Sequence, residues 1–172
     1  MRKKIFNIRI VTEVAALVAL AGALHLIKIF SFPQGGSITF AAMVPILLLA
    51  LRRGWQVGIF AGMLFGLIVL VEEPFVVYPT QVVLDYPLAF GALGLAGFLR
   101  KLPVLGVAVG VAGRFLSHFV SGVIFFASYA PEGMSAEVYS AIYNGSYLLP
   151  ELVISAVVIQ LLTYSKALEV YL

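Results

Sequence analysis

Cysteine is absent from the 172 residues, charged side chains make up only 11% of them, tryptophan occurs once and histidine twice. Without cysteine there is neither a disulfide scaffold nor a thiolate metal site. So few charges rule out a disordered chain and a charge-laced coiled coil. No GxxxxGK(S/T) run offers a phosphate cradle for ATP, and no HExxH pair offers a catalytic metal. Ser117, Ser121 and His118 have the residue types of a hydrolase, but no GxSxG elbow or oxyanion element accompanies them. A channel would need a filter or a ring of charge, and neither is visible. The expectation is a protein that is not an enzyme, with no catalytic residue, no metal and no cofactor.

What is present is apolar: 62% of residues are hydrophobic and the mean hydropathy is +1.08. A soluble domain of this size uses about 45–50% and has no core large enough to hide the excess, so the lipid bilayer is the expected solvent. The net charge of +3 invites a nucleic-acid reading, yet the basic residues form no patch the size of a groove. They sit instead in short clusters between apolar runs: Arg2, Lys3, Lys4 and Arg9, then Arg52 and Arg53, then Arg100 and Lys101, then Lys166.

Apolar runs bounded by Pro, Gly or charge predict an all-α membrane protein of six transmembrane helices, at roughly 8–30, 38–51, 55–71, 80–99, 103–127 and 137–164. The second and third read as a tight pair turning at Arg52, Arg53 and Gly54. Threading the spans in order puts every basic cluster on one side and the loops holding Glu72, Glu73 and Glu132 on the other, which makes both termini cytoplasmic. The first segment has the basic start of a signal peptide but no small-residue cleavage site near Phe30, so it is expected to be retained. No linker or repeat divides the chain, and residues 1–172 read as one domain.

An ionisable group deep in a bilayer costs about 2.5–3.5 kcal/mol on insertion scales, so each one asks for a partner or a cavity. Those singled out within the predicted spans are Glu13, Lys28, Asp85, Arg114, His118 and Glu151, joined by Asn144. At the helical rise, Asp85, His118 and Asn144 lie roughly 8–14 Å below the outer surface on three different helices, which predicts an outward-facing pocket. Tyr86, Phe125, Phe126, Tyr129, Tyr139, Tyr143 and Tyr147 flank them. Aromatic faces with an acid, an amide and an imidazole suit a flat nitrogen heterocycle, neutral or cationic, a cation gaining further from the ring faces and the acid.

Simpler readings stand beside this one. Tyr143 and Tyr147, each taken alone, read as interfacial belt or packing residues. Asn144 alone reads equally as a bond between helices. His118 has a reading as a satisfied core residue, and Asp85 has one as a buried pair with Arg114. Glu13 and Glu151 are assigned to packing or helix contacts, and Lys28 to snorkelling outward. Gly35 and Gly36 after Pro33 give the first outer loop the freedom of a lid, with Gln34 beside them, or else of a plain turn. Ala15, Ala19 and Ala23 form a small-residue stripe for close helix approach, internal packing being its usual use.

Five stretches carry a resemblance: PQGGS from Pro33 to Ser37, PILLLALRRG from Pro45 to Gly54, LDYPLAF from Leu84 to Phe90, HFVSGVIFFASYAPEG from His118 to Gly133, and YSAIYNGSYLLP from Tyr139 to Pro150. In this order the chain resembles the thiamine-specific substrate-binding subunit, or S-component, of energy-coupling factor (ECF) vitamin transporters. The resemblance implies a six-helix fold in a prokaryotic plasma membrane that binds thiamine from outside without chemistry. It implies that Asp85, Tyr86, His118, Phe126, Tyr139 and Asn144 surround the vitamin. It turns the Ala15, Ala19 and Ala23 stripe toward docking on the transmembrane coupling subunit, which works with two ATPase subunits. A sister S-component for a heterocycle such as hydroxymethylpyrimidine, a structural membrane protein and an intramembrane enzyme are the competing readings. Some relatives carry Glu at the Asp85 position and Trp at Phe126 and in the first outer loop. Here the loop has Phe32, Gln34, Gly35 and Gly36, and the lone Trp55 falls at the cytoplasmic end, away from the pocket.

Overall fold

A computed structural model describes residues 7–165; Arg2, Lys3, Lys4 and Lys166 of the terminal basic clusters lie outside them. Helix α1 (Ile8–His25) starts at Asn7, whose side chain accepts the Ile10 N–H at 3.0 Å as an N-cap. A two-stranded antiparallel hairpin follows, β1 (Lys28–Ser31) and β2 (Ser37–Thr39). Helices α2 (Val44–Arg53) and α3 (Trp55–Glu72) are joined at Gly54, whose φ of 95° is a conformation that glycine adopts without strain. Helix α4 runs over Pro79–Leu99, α5 over Pro103–Phe125 and α6 over Ala136–Tyr164.

Five of these helices, all but α2, are long and apolar enough to cross a bilayer. The two expected spans nearest the N-terminus need correction. The first was expected over 8–30, but its helix stops at His25 and Lys28–Ser31 becomes strand. The second was expected over 38–51, but helix begins only at Val44. Thr39 is held in strand by its N–H and hydroxyl, which both donate to Glu151, and Ala41 has a φ of 61° that no helix accepts. At ten residues, α2 rises about 15 Å, half the hydrocarbon thickness. It is buried on nearly every side, from Val44 to Leu51, which explains why its sequence is apolar all round. The core gathers on it, with Met43, Ile46, Leu47 and Leu49 fully enclosed and Phe65 of α3 beside them.

Helix α4 is irregular for a reason legible in its sequence. Pro87 lacks an N–H and its ring clashes with the carbonyl four residues back, so a regular α-turn fails there. The helix widens to a π-turn over Leu84–Leu88, in which the Ala89 N–H reaches back to the Leu84 carbonyl. Ser117 of α5 donates to that same carbonyl at 2.7 Å and pins the bulge. Glycines on α3 let α4 approach closely: a methyl at Gly62 would meet the Phe90 carbonyl at 2.2 Å, and one at Gly66 the Tyr86 carbonyl at 2.4 Å.

Charge separates to the two ends of the bundle. At one end Glu13 pairs with Arg52 at 2.8 Å and Arg53 at 2.6 Å, and Arg100 donates to the Leu51 and Arg52 carbonyls, satisfying the open C-terminus of α2. Trp55 stacks on Phe98 at this end, with ring centroids 5.1 Å apart. At the other end of α3, His25 meets Glu72 at 2.9 Å and Lys28 pairs with Glu73. Lys28, expected to snorkel from a helix end, thus sits on a strand and holds a carboxylate.

Candidate functional site

A cavity opens at the end of the bundle opposite the Arg52 and Arg53 cluster, between the hairpin and helices α4, α5 and α6. It holds about 770 Å³ of space between its walls, its mouth included. The six residues that the family resemblance nominated for ligand contact line it: Asp85 and Tyr86 from α4, His118 from α5, Phe126 just after α5, and Tyr139 and Asn144 from α6. Gln34, Gly35 and Gly36 line it from the hairpin turn.

The π-turn places the consecutive residues Asp85 and Tyr86 on the same cavity. Gln81, one turn earlier and fully buried, donates through Nε2 to Asp85 Oδ2 at 2.6 Å and to the Phe75 carbonyl at 3.1 Å, while its Oε1 accepts the Val77 N–H. The other Asp85 oxygen meets His118 Nδ1 at 3.1 Å. Arg114, one turn before His118, points its Nε at His118 Nε2 from 3.3 Å. A guanidinium can only donate, so Nε2 must accept, and the proton of the neutral imidazole is on Nδ1, facing Asp85. Arg114 also lies 4.1 Å above the Phe90 ring, a cation–π contact. The expected alternative of a direct Asp85–Arg114 pair is therefore corrected: the imidazole stands between them.

Asn144 donates through Nδ2 to the Ser140 carbonyl at 2.9 Å, and its Oδ1 accepts the Tyr147 hydroxyl at 2.7 Å. Close approach of α5 and α6 here depends on Gly122, where a Cβ would meet Ser140 Oγ at 2.1 Å. Tyr86 receives the Phe75 N–H and donates to the Glu73 carbonyl at 2.9 Å, tying the α3–α4 loop to the rim. Phe75 and Phe126 face each other at 5.7 Å, and Tyr139 stacks toward Tyr143 at 6.0 Å.

Of the belt-or-packing reading of Tyr143 and Tyr147, packing holds and the belt does not. Tyr147 is buried, and the Tyr143 hydroxyl accepts the Gly36 N–H at 3.1 Å, bonding the hairpin turn to α6. Gly35, with φ at 88°, makes the turn, and Gly36 lies so close to Tyr147 that a Cβ would meet its ring at 2.7 Å. Phe125 and Tyr129 do not line the cavity; Phe125 packs on Tyr78. Trp55 is absent from the lining, as expected. Sequence reading missed Gln81, Phe75 and His25. Gln81 had a usable signal, being a lone amide one helical turn before the acid on an otherwise apolar face. Ala15, Ala19 and Ala23 are exposed along α1, so the stripe faces away from the bundle instead of packing within it.

Residues 11–170 match the model of the family described as "Thiamine transporter protein". The chain belongs to that family. It is 34% identical to the thiamine transporter ThiT of Bacillus subtilis, with 92% of this chain and 89% of the relative aligned. It is 31% identical to ThiT of Lacticaseibacillus paracasei over 89% of this chain and 86% of that one. A solved structure of ThiT from Listeria monocytogenes superposes with a TM-score of 0.83 at 28% identity, covering 92% of this chain and 96% of that chain. Membership of a bacterial thiamine transporter family agrees with five bilayer-length helices in a multi-pass membrane protein.

Proposed function

We propose that this protein captures thiamine at the outer face of a prokaryotic plasma membrane and serves as the S-component of an ATP-driven ECF importer. The convergence of Asp85, His118 and Asn144 from three helices on one aromatic-walled cavity carries the reading. Thiamine joins a cationic thiazolium to a flat aminopyrimidine. Asp85 supplies the anionic partner of the cation, and Tyr86, Phe126 and Tyr139 supply ring faces. The second lone pair of Asn144 Oδ1 accepts from the pyrimidine edge, and His118, bonded on both nitrogens, orients Asp85. Nothing in this constellation performs chemistry on the ligand.

The β1–β2 hairpin, with Gln34, Gly35 and Gly36 at its turn, acts as the lid: closing it expels water and strengthens the field of Asp85. Both termini lie in the cytoplasm, and the hairpin followed by the half-length α2 makes the second of six crossings. The exposed stripe of Ala15, Ala19 and Ala23 docks on the transmembrane coupling subunit, and two ATPase subunits supply the energy. Calorimetric titration of detergent-solubilised protein with thiamine, its phosphates and hydroxymethylpyrimidine tests the assignment. Thiamine should bind most tightly; no binding, or a clear preference for the pyrimidine alone, would defeat it.

A further inference from the structure

Glu151 sits halfway along α6 and is 1% exposed, yet no role in ligand contact falls to it. Its Oε1 accepts both the backbone N–H and the hydroxyl of Thr39, the latter at 2.7 Å, at the foot of strand β2. Its Oε2 is fully enclosed and finds no donor among the described residues. Glu151 lines a second, smaller cavity that adjoins the first through His25, Ser37, Phe90 and Arg114; it encloses about 200 Å³ by the same measure, with about 10 Å³ open to the centre of a water-sized sphere. A volume of about 10–15 Å³ with two to four polar partners is what one buried water requires. A carboxylate oxygen enclosed without a donor is costly, and Arg114 is the donor-rich group across the cavity.

We propose that Glu151 is a positioning residue for the hairpin: it clamps Thr39 directly and, through one bridging water, joins that clamp to the Arg114 guanidinium at the wall of the ligand cavity. The hairpin is then fixed at two points, its turn by the Gly36–Tyr143 bond and its foot by Glu151. The foot is a hinge of defined position, about which the turn swings once the Gly36–Tyr143 bond opens. The inference rests on the reading of the hairpin as a lid, but the clamp itself is testable without any ligand.

Hydrogen exchange is measured on the full chain in detergent, without ligand, for Glu151→Leu and Glu151→Gln. Loss of a doubly accepting carboxylate should speed exchange of the Ile38 and Thr39 amides by about tenfold or more in Glu151→Leu, while α6 amides keep their protection. Glu151→Gln retains an accepting oxygen and should restore most of the protection at the foot. Should Glu151→Leu fail to fold, Thr39→Val removes the hydroxyl donor at nearly constant shape and should loosen the same two amides. Unchanged exchange at the foot, or equal loosening of the whole of α6, overturns the clamp. In a high-resolution crystal structure a water within hydrogen-bond distance of both Glu151 and Arg114 is expected; a direct Glu151–Arg114 pair overturns the bridge. Thiamine dissociation, read separately by competition, should quicken in Glu151→Leu. If native protein binds no thiamine, the proposed function fails while the exchange result stands.

Discussion

Replacing Asp85 by Asn changes one charge and almost no volume, so its effect on a cationic ligand can be worked through. A carboxylate at about 4–5 Å from a positive ring, in a cavity with an effective dielectric of about 20–40, contributes about 2–4 kcal/mol. That corresponds to a loss of about 30- to 1,000-fold in thiamine affinity. A second effect comes from the surroundings. Gln81 Nε2 and His118 Nδ1 both donate to Asp85, and an amide offers one acceptor and one donor, so either flip sets one donor against another. His118 cannot relieve the clash by moving its proton, because Nε2 accepts from Arg114. The mismatch should cost about 1–3 kcal/mol of stability and lower the thermal midpoint of the unliganded protein. Titration with thiamine and with its neutral hydroxymethylpyrimidine fragment separates the two effects. Thiamine should lose the full factor, and the fragment should lose less than about threefold, the share left to geometry. An equal loss for both ligands, or none for thiamine, would refute the electrostatic role of Asp85.

Gly36→Ala should push the hairpin turn off α6, because the new Cβ meets the Tyr147 ring at 2.7 Å; stopped-flow measurement should show faster thiamine dissociation although Asp85, His118 and Asn144 are unchanged. Ala19→Leu adds bulk to an exposed face of α1 and should leave thiamine binding at its native level while abolishing uptake in cells that supply the proposed ECF partner subunits. Trp55 stacks on Phe98 outside the cavity, so saturating thiamine should barely quench the single-tryptophan emission, and strong quenching would place the ligand elsewhere.

The helices were legible where apolar runs are long and cleanly bounded, because bilayer thickness and helical rise together dictate their length. The first 30 residues misled for the same reason. Leu26, Ile27, Ile29 and Phe30 continue the apolar run of α1, and hydropathy cannot distinguish an apolar strand from one more helical turn. What makes Lys28–Ser31 a strand is its partner Ser37–Thr39, and what anchors that partner is Glu151, 112 residues away. No local pattern carries that information. Depth alone found Asp85, His118 and Asn144, since polar groups in lipid must converge on something. It did not reveal their partners, which depend on the π-turn at Pro87 and on the rotation of neighbouring helices.

Those partners decide what the site can hold. Had Arg114 paired directly with Asp85, the carboxylate would be neutralised within the protein and a cation would gain little by entering. Instead a neutral imidazole occupies the gap, accepting from Arg114 on one nitrogen and donating to Asp85 from the other. Gln81 saturates the second carboxylate oxygen with another neutral donor. Asp85 is thus held by two hydrogen bonds that orient it without a direct ion pair, while Arg114, at the cavity wall, packs on the Phe90 face and lines the second cavity with Glu151. An acid fixed by neutral donors beneath a ring-lined mouth attracts a flat cation and gives a neutral heterocycle of the same shape no such advantage, which is the discrimination that Asp85→Asn should erase.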